Sequence, residues 1–260
     1  MLKSIFWSLD RSLLNKKILN LWSNRVINLQ IKQLYKDLNH DNNFKINIYY
    51  AKDKTNLLAS LCDQHGSDKG SLNNVNTIYS WPPHTYVDLY SRLFLHGRFN
   101  INTVFECGIG TNNPNLASSM GIHGKPGASL RVWKEYFPNA KIFGADIDRD
   151  ILFQEERIET YFIDQTNADS INEFWKKVDC DNFDIMIDDG LHTFNAGWTL
   201  FSHSINKLST VGKYIIEDVS PQNLIAFKKA FKTTDFKVDY VTLGRPFQKL
   251  GYNSLILVSK

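Results

Sequence analysis

The feature that most limits the possible folds of this chain is an alternation of short apolar runs and longer amphipathic runs that begins at Asn102. Five short runs have the composition of buried strands, namely TVFECG, KIFGADI, TYFID, FDIMIDD and KYIIEDV. Helical patterns lie between them, at 128–137, 167–178, 194–208 and 220–232. Such alternation predicts an α/β domain with parallel strands and helices on both faces of the sheet.

The end of the chain follows a different pattern. The runs FKVDYVTL and YNSLILVSK are strand-like and are joined by GRPFQKLG, with no helical pattern between them. This predicts an antiparallel hairpin that closes the sheet. Upstream, the segment 57–99 is predicted to be helical in pieces, because HGSDKGS and the pair Pro82 and Pro83 interrupt it.

The first residues form a separate predicted unit. Apolar residues from Ile5 to Leu38 recur at three- and four-residue spacings, which predicts an amphipathic helical extension over 1–55 and a catalytic domain over 56–260. The polar run NHDNN at 39–43 reads as a linker. Such a helix either covers the domain, pairs with a second subunit to form a homo-oligomer, or touches a membrane surface.

Composition narrows the class of protein. The net charge of the 260 residues is only +3, and no basic run interleaved with aromatic residues is present, so nucleic acid is not an expected partner. The three cysteines are scattered, as is typical of a reducing compartment. No apolar run approaches the roughly 18 residues of a membrane span. We therefore predict a soluble, cytoplasmic protein without stable membrane insertion.

Acidic residues end four consecutive predicted strands. These residues are Glu106, Asp146, Asp164 and Asp188. Ligands of doubly wound sheets lie beyond the carboxyl ends of the strands, where Asp146 can accept both hydroxyls of a ribose and Asp164, with Gln165, can reach an adenine edge. An acidic rim repels a pyrophosphate and attracts an adenosine that carries a cationic group. S-adenosylmethionine fits this charge pattern.

The glycines after the first strand give a weaker signal. Gly108 and Gly110 predict a tight turn that lets the backbone approach a ligand, but Asn113 stands where a dinucleotide fingerprint has its third glycine. This departure from the fingerprint argues against an NAD-binding site. The structural alternatives are helix capping for Asp148 and Asp169, and core packing for the aromatic residues Trp133 and Phe137.

These motifs together resemble a known family. The run GASLRVWKEYFPNAKIFGADID, followed by DQ, FDIMIDDGLH and GKYIIEDV, resembles the class I S-adenosylmethionine-dependent methyltransferases. It is most similar to the metal-dependent sugar O-methyltransferases of macrolide and surface-glycan pathways, and also to methyltransferases of the capsule O-methyl phosphoramidate pathway. SDKGS and HTYVDLYSRLF extend the resemblance, which covers about 68–219. It implies a Rossmann-like, doubly wound, seven-stranded sheet of order 3-2-1-4-5-7-6 with the last strand antiparallel.

The resemblance also implies roles for individual residues. Asp189, Glu217 and Asp218 would bind Mg²⁺ or Mn²⁺, and His192 would act with Asp189 in catalysis as the general base. The implied cofactor-binding residues are Lys69, Glu106, Gly108, Gly110, Asp146, Ile147, Asp164, Gln165 and Asp188. The residue chemistry agrees, because adjacent carboxylates after a buried strand need a compensating cation and offer the hard oxygens that these ions prefer. The structural alternatives are that Glu217 and Asp218 cap a helix near Pro221, and that His192 only holds its loop.

The expected activity is O-methylation of a small polar acceptor such as a sugar, a nucleotide-linked sugar or a capsule precursor. A phosphoramidate acceptor would already be an anion and would need a base less. Two other classes of protein remain open. One is a non-catalytic binding or assembly protein that retains the fold, and the other is an NAD-dependent sugar dehydrogenase or epimerase.

Overall fold

A mixed β-sheet forms the centre of the computed structural model, which describes residues 56–70, 79, 81–243 and 253–260. The strands are β1 (Thr103–Cys107), β2 (Lys141–Asp146), β3 (Gln154–Glu155), β4 (Ile158–Phe162), β5 (Phe183–Asp188), β6 (Leu208–Val219), β7 (Lys237–Thr242) and β8 (Ser254–Ser259). The helices are α1 (Leu57–His65), α2 (Val87–Phe94), α3 (Ala128–Tyr136), α4 (Ala168–Lys177), α5 (Phe194–Ser204) and α6 (Pro221–Phe231). The predicted extension 1–55, its linker and the loop 244–251 lie outside the described residues.

The strand order confirms the predicted topology. Within the described residues the order is β3-β4-β2-β1-β5-β6-β8-β7. If the short β3 is set aside, this is the order 3-2-1-4-5-7-6. Strands β4, β2, β1, β5 and β6 are parallel to one another, whereas β8 runs antiparallel to both β6 and β7. The last strand is therefore reversed, as the terminal hairpin predicted.

Two local features differ from the sequence prediction. The two-residue strand β3 pairs with β4 in a hairpin and has no apolar pattern that would reveal it, since both of its residues are exposed. Helix α5 ends at Ser204 rather than near residue 208, and β6 begins at Leu208, earlier than predicted. The first residues of β6 are largely polar, so the sequence did not reveal that the strand begins at Leu208, where it first pairs with β5.

Alternation along the strands divides the core into two faces. Val104, Ile185 and Ile215 pack into one cluster with Leu58 of α1 and Trp133 of α3. On the other face, Phe105 contacts the aromatic rings of Phe174, Trp175 and Phe183. Because successive side chains on a strand point to opposite faces, acidic residues next to one another at a strand end are directed to different surroundings.

The topology also locates the functional edge. The chain order of the strands reverses at β1, whose neighbours are β2 and β5, and ligands of such sheets lie beyond the carboxyl ends of the strands near this point. Residues after β1, β2, β5 and β6 therefore meet at one edge. No helix among the described residues is long and apolar enough to cross a membrane.

Candidate active site

A buried lysine lies at the centre of this edge. The ammonium of Lys69 donates to Asp189 Oδ2 at 2.6 Å and to Glu217 Oε2, and it lies 3.3 Å from Glu106 Oε1. We call these four residues the lysine cluster. The side chains of Glu106 and Glu217 are 0% exposed and that of Lys69 is 3% exposed. One ammonium thus faces three carboxylates, which leaves the cluster short of positive charge.

Hydrogen bonds from neighbouring aromatic side chains complete the lysine cluster. Tyr90 donates its hydroxyl to Glu217 Oε1, and the indole of Trp133 donates to Glu106 Oε2 at 2.8 Å. Burial raises the pKa of Glu217 well above its usual value, although Lys69 opposes this effect. Burial alone would lower the pKa of Lys69, but its three carboxylate neighbours hold that pKa well above the usual value. Each carboxylate of the cluster therefore faces the ammonium, and the two buried glutamates also accept a hydrogen bond from an aromatic side chain, although one ammonium balances only one negative charge.

Strand alternation explains which acidic residues enter the lysine cluster. Glu106 follows Val104 by two positions on β1, and Glu217 follows Ile215 by two positions on β6, so both carboxylates lie on the face covered by α1 and α3. Asp189 follows Ile187 in the same way, just beyond the end of β5. The same parity directs Asp188 to the opposite face.

A second group of side chains lies beside the lysine cluster and shares Asp189 with it. One ligand atom from each of Asp189, His192 and Asp218 lies within 4.8 Å of the other two. We call these residues the open cluster, because their side chains are 21%, 23% and 17% exposed. His192 Nε2 lies 3.8 Å from Asp218 Oδ2. The open cluster therefore has solvent access that Glu106 and Glu217 lack.

Two residues of the open cluster have a strained backbone conformation. His192 and Asp218 have φ values of 56° and 52°, in the left-handed region that non-glycine residues seldom adopt. At Asp218 this conformation coincides with a register irregularity between β6 and β8, which interrupts the alternation of β6. Asp218 therefore turns toward α2, where Tyr86 donates its hydroxyl to Oδ1 and His84 Nδ1 lies 3.1 Å from the same oxygen.

The third part of the edge lies at the ends of β1 and β2. Asp146 accepts backbone hydrogen bonds from Ile109 and Asp148, each at 2.9 Å, and burial raises its pKa. Each carboxylate oxygen can accept a further bond, so ribose hydroxyls can still be bound. Ile147 follows directly and is 48% exposed, which leaves an apolar surface beside the carboxylate.

The two glycines after β1 are required by contacts inside the protein. Gly108 and Gly110 have φ values of 87° and 86°. A Cβ at Gly108 would lie 2.1 Å from the Asp189 carbonyl oxygen, and one at Gly110 would lie 2.3 Å from Met120 Cε. The tight turn predicted from the sequence is present, and it positions the backbone of Asp189.

Three of the predicted cofactor-binding residues use their side chains internally. Asp164 Oδ1 accepts from the backbone and the hydroxyl of Thr166. Gln165 donates to Asp188 Oδ1 and accepts from the Leu191 backbone at 2.9 Å. Asp188 is only 3% exposed. The Gln165 and Asp188 side chains therefore stabilise the loop after β5 instead of facing the cofactor edge.

The structure decides which acidic residues cap helices and whether the two aromatic residues after the glycine turn lie in the core. Ser220 caps α6, so Glu217 and Asp218 do not. Asp148 caps a short 3₁₀ turn, as expected, whereas the cap of α4 is Asn167 and not Asp169. Trp133 and Phe137 are buried in the core, although the indole of Trp133 also holds Glu106.

Sequence reasoning missed the contributions of α2. Tyr86 and Tyr90 belong to the HTYVDLY motif but received no role. They are four residues apart, so both reach the same side of a helix, and each hydroxyl binds a site carboxylate. This spacing, together with the buried acids that lacked partners, was the available signal.

Known proteins were compared with the chain. No protein-family model matches it. The 8-demethyl-8-alpha-L-rhamnosyl tetracenomycin-C 2'-O-methyltransferase of Streptomyces olivaceus is 32% identical over 174 residues, which are 67% of this chain and 40% of that protein. Mycinamicin VI 2''-O-methyltransferase of Micromonospora griseorubida is 31% identical over 159 residues, covering 59% of this chain and 37% of that protein. The chain thus spans well under half the length of these relatives.

A solved structure supports the same relationship. A methyltransferase of the mycinamycin biosynthetic pathway, in complex with Mg and SAH, matches 78% of this chain and 54% of its own chain. The TM-score is 0.54 and the sequence identity is 25%.

Proposed function

We propose that this chain, which has the class I methyltransferase fold and homologues among sugar O-methyltransferases, transfers a methyl group from S-adenosylmethionine to a hydroxyl of a small polar acceptor. The observation that carries the proposal is the open cluster at the same sheet edge as Asp146 and the glycine turn. A cofactor site and a site for an acceptor-binding cation lie together there.

The cofactor is assigned to the ends of β1 and β2. Asp146 would accept the ribose hydroxyls, the exposed side chain of Ile147 would flank the adenine, and the backbone at Gly108 and Gly110 would line the chain that bears the sulfonium. Asp164, which is partly exposed, is kept as a contact at the adenine edge. Lys69, Glu106, Gln165 and Asp188 support this site from inside the protein.

The donor set of the open cluster fits a divalent cation. Asp189 and Asp218 offer hard carboxylate oxygens, and their partial exposure leaves room for waters and a substrate oxygen, as Mg²⁺ and Mn²⁺ prefer. We assign these two residues as ligands. Glu217, the third ligand implied by the sequence resemblance, has both oxygens bonded to Lys69 and Tyr90 and can join only if Lys69 releases it. When bound, the ion would lower the pKa of the acceptor hydroxyl.

His192 is assigned as the general base. Its Nε2 faces Asp218 and can take the proton of an acceptor hydroxyl held at the open cluster. The acceptor oxygen then forms a bond to the methyl carbon while the carbon–sulfur bond breaks, and S-adenosylhomocysteine leaves. Tyr86 and His84 fix the orientation of Asp218 during this step.

The acceptor is proposed from the relatives, whose names describe 2'-O-methylation of a rhamnosyl tetracenomycin and 2''-O-methylation of mycinamicin VI. We propose a sugar or nucleotide-linked sugar, with capsule-type precursors included. An anionic phosphoramidate is an alternative acceptor, and for such an acceptor replacing His192 would have little effect on the rate. We also propose a cytoplasmic protein that does not bind nucleic acid and forms a homo-oligomer through residues 1–55.

Two variants test whether the cofactor and ion sites are separate. Asp146→Asn should weaken S-adenosylhomocysteine binding about tenfold or more and leave Mn²⁺ affinity unchanged, whereas Asp218→Asn should do the reverse, because each removes one charged partner. Calorimetry measures both affinities, and the exposed Asp235→Asn is the matched control. Methyl transfer to a panel of nucleotide sugars is then assayed with Mn²⁺. Absence of S-adenosylhomocysteine binding at millimolar concentration would refute the proposal.

A further inference from the structure

A small cavity lies beside His192, between the ends of β5 and β6. Its volume is about 10 Å³, which is enough for the centre of one water molecule. Residues from β5, the loop after it, β6, α5 and α6 line this cavity, including Asp188, His192, Gly197, Glu217 and Asp218.

Two buried polar atoms beside this cavity have no hydrogen-bond partner among the described residues. They are Asp188 Oδ2 and His192 Nδ1. The other oxygen of Asp188 is fully used, since Gln165 and the Gly190 backbone donate to it. A buried carboxylate oxygen and a buried imidazole nitrogen are costly to leave unbonded, so a bridging group is expected between them.

Gly197 keeps the space in front of Asp188 open. A Cβ at this position of α5 would lie 3.1 Å from Asp188 Oδ2 and 2.9 Å from Phe227 Cζ. Glycine in a helix interior is about 1 kcal/mol less favourable than alanine, so keeping this space open lowers the stability of α5. Asn223 fixes the other wall by donating to the His192 carbonyl oxygen at 2.8 Å.

We propose that one ordered water in this cavity bridges Asp188 Oδ2 and His192 Nδ1, and that Asp188 is thereby the positioning residue for His192. The water donates to the carboxylate and accepts from Nδ1–H. The proton is then held on Nδ1, and Nε2, which faces Asp218, keeps its lone pair. The role of His192 as a base rests on the proposed function, whereas the prediction that His192 carries its proton on Nδ1 does not.

The chemistry of Asp188 agrees with this role. Its Oδ1 already accepts from Gln165 and the Gly190 backbone, so Oδ2 is the oxygen left to the cavity. A carboxylate acts only as an acceptor and therefore selects a donor from the water. A carboxylate behind a histidine holds the imidazole in one tautomer and orientation in other enzymes by the same logic.

The test is the tautomer of His192, read from its ring ¹⁵N chemical shifts at pH 8 without cofactor, ion or acceptor. The His192→Gln spectrum identifies its signals. In the wild type the Nδ1–H form should dominate. Asp188→Asn should shift the ratio of Nδ1–H to Nε2–H by about tenfold or more, because a hydrogen bond to a charged group is lost. Gly197→Ala should produce a similar shift by excluding the water without changing charge, whereas the exposed Ser202→Ala on α5 should not.

The outcomes separate this inference from the proposed function. A dominant Nε2–H form in the wild type, or a ratio unchanged in Gly197→Ala, overturns the inference even if the enzyme is active. If Asp188→Asn does not fold, Gly197→Ala decides the question alone. If the predicted shifts occur but no acceptor is methylated, the positioning of His192 stands and the proposed function fails. Where activity is found, Asp188→Asn and Gly197→Ala should both lower kcat and leave the KM for S-adenosylmethionine nearly unchanged.

Discussion

The lysine cluster and the open cluster are adjacent, share Asp189 and are built from the same kinds of side chain, yet they have opposite properties. In the lysine cluster, Glu106 and Glu217 are fully buried and bonded to Lys69, Trp133 and Tyr90. In the open cluster, Asp218 is partly exposed and its backbone is strained. The first arrangement pairs its charges internally, whereas the second leaves donor atoms for a ligand.

The difference shows that an acidic strand end does not by itself identify a ligand. Glu217 and Asp218 are neighbours in the sequence, but Glu217 faces a lysine and Asp218 faces solvent and a histidine. What distinguishes them is strand alternation, and the local backbone irregularity that breaks it at Asp218. Three predictions test this division, in order of decreasing expected effect.

The largest effect should come from Lys69→Met. Removing the ammonium leaves Glu106, Glu217 and Asp189 without their counter-ion, and breaking a buried ion pair costs about 3–5 kcal/mol. The free energy of unfolding at pH 7, from urea titration, measures this loss. Lys177→Met is the control, since Lys177 is exposed and the expected change is within about 0.5 kcal/mol. A loss below about 1 kcal/mol for Lys69→Met would show that the lysine cluster does not stabilise the fold.

The lysine cluster also marks the limit of what the sequence could predict. Apolar periodicity predicted the sheet and the edge where Glu106, Asp146 and Asp189 lie, because these depend on patterns within short segments. The strand order was predicted from the family resemblance. The ion pairs of Lys69 join residues 120 and 148 positions apart, and no local pattern relates them. The roles of Gln165 and Asp188 were equally hidden, since strand parity decides which face each strand-end side chain reaches.

The second prediction concerns Mn²⁺ affinity. Lys69→Met removes a positive charge beside the open cluster and frees oxygens of Asp189 and Glu217, so affinity should rise about tenfold, or about 1.4 kcal/mol. In the double variant Lys69→Met/Glu217→Gln most of this gain in Mn²⁺ affinity should disappear, because the Glu217 carboxylate that Lys69→Met makes available to the ion is replaced by a neutral amide. Titration followed by electron paramagnetic resonance measures free Mn²⁺, and Lys69→Gln provides a second variant that retains hydrogen bonding. Equal affinities in the wild type and both Lys69 variants would mean that the two clusters are not coupled.

The smallest effect should appear at alkaline pH. The folded-state pKa of Lys69 lies well above the usual 10.5, so its stabilising contribution is complete below pH 10.5 and is lost as the pH rises toward the folded value. The stability difference between the wild type and Lys69→Met should therefore narrow by about 1 kcal/mol as the pH rises from about 9.5 to 11. Both proteins contain Tyr86 and Tyr90, whose pKa values burial also raises, so the common alkaline loss cancels in the difference. A difference that does not narrow over this range would mean that the Lys69 ammonium is not held by its carboxylates, and the contrast between the two clusters would then fail at its central residue.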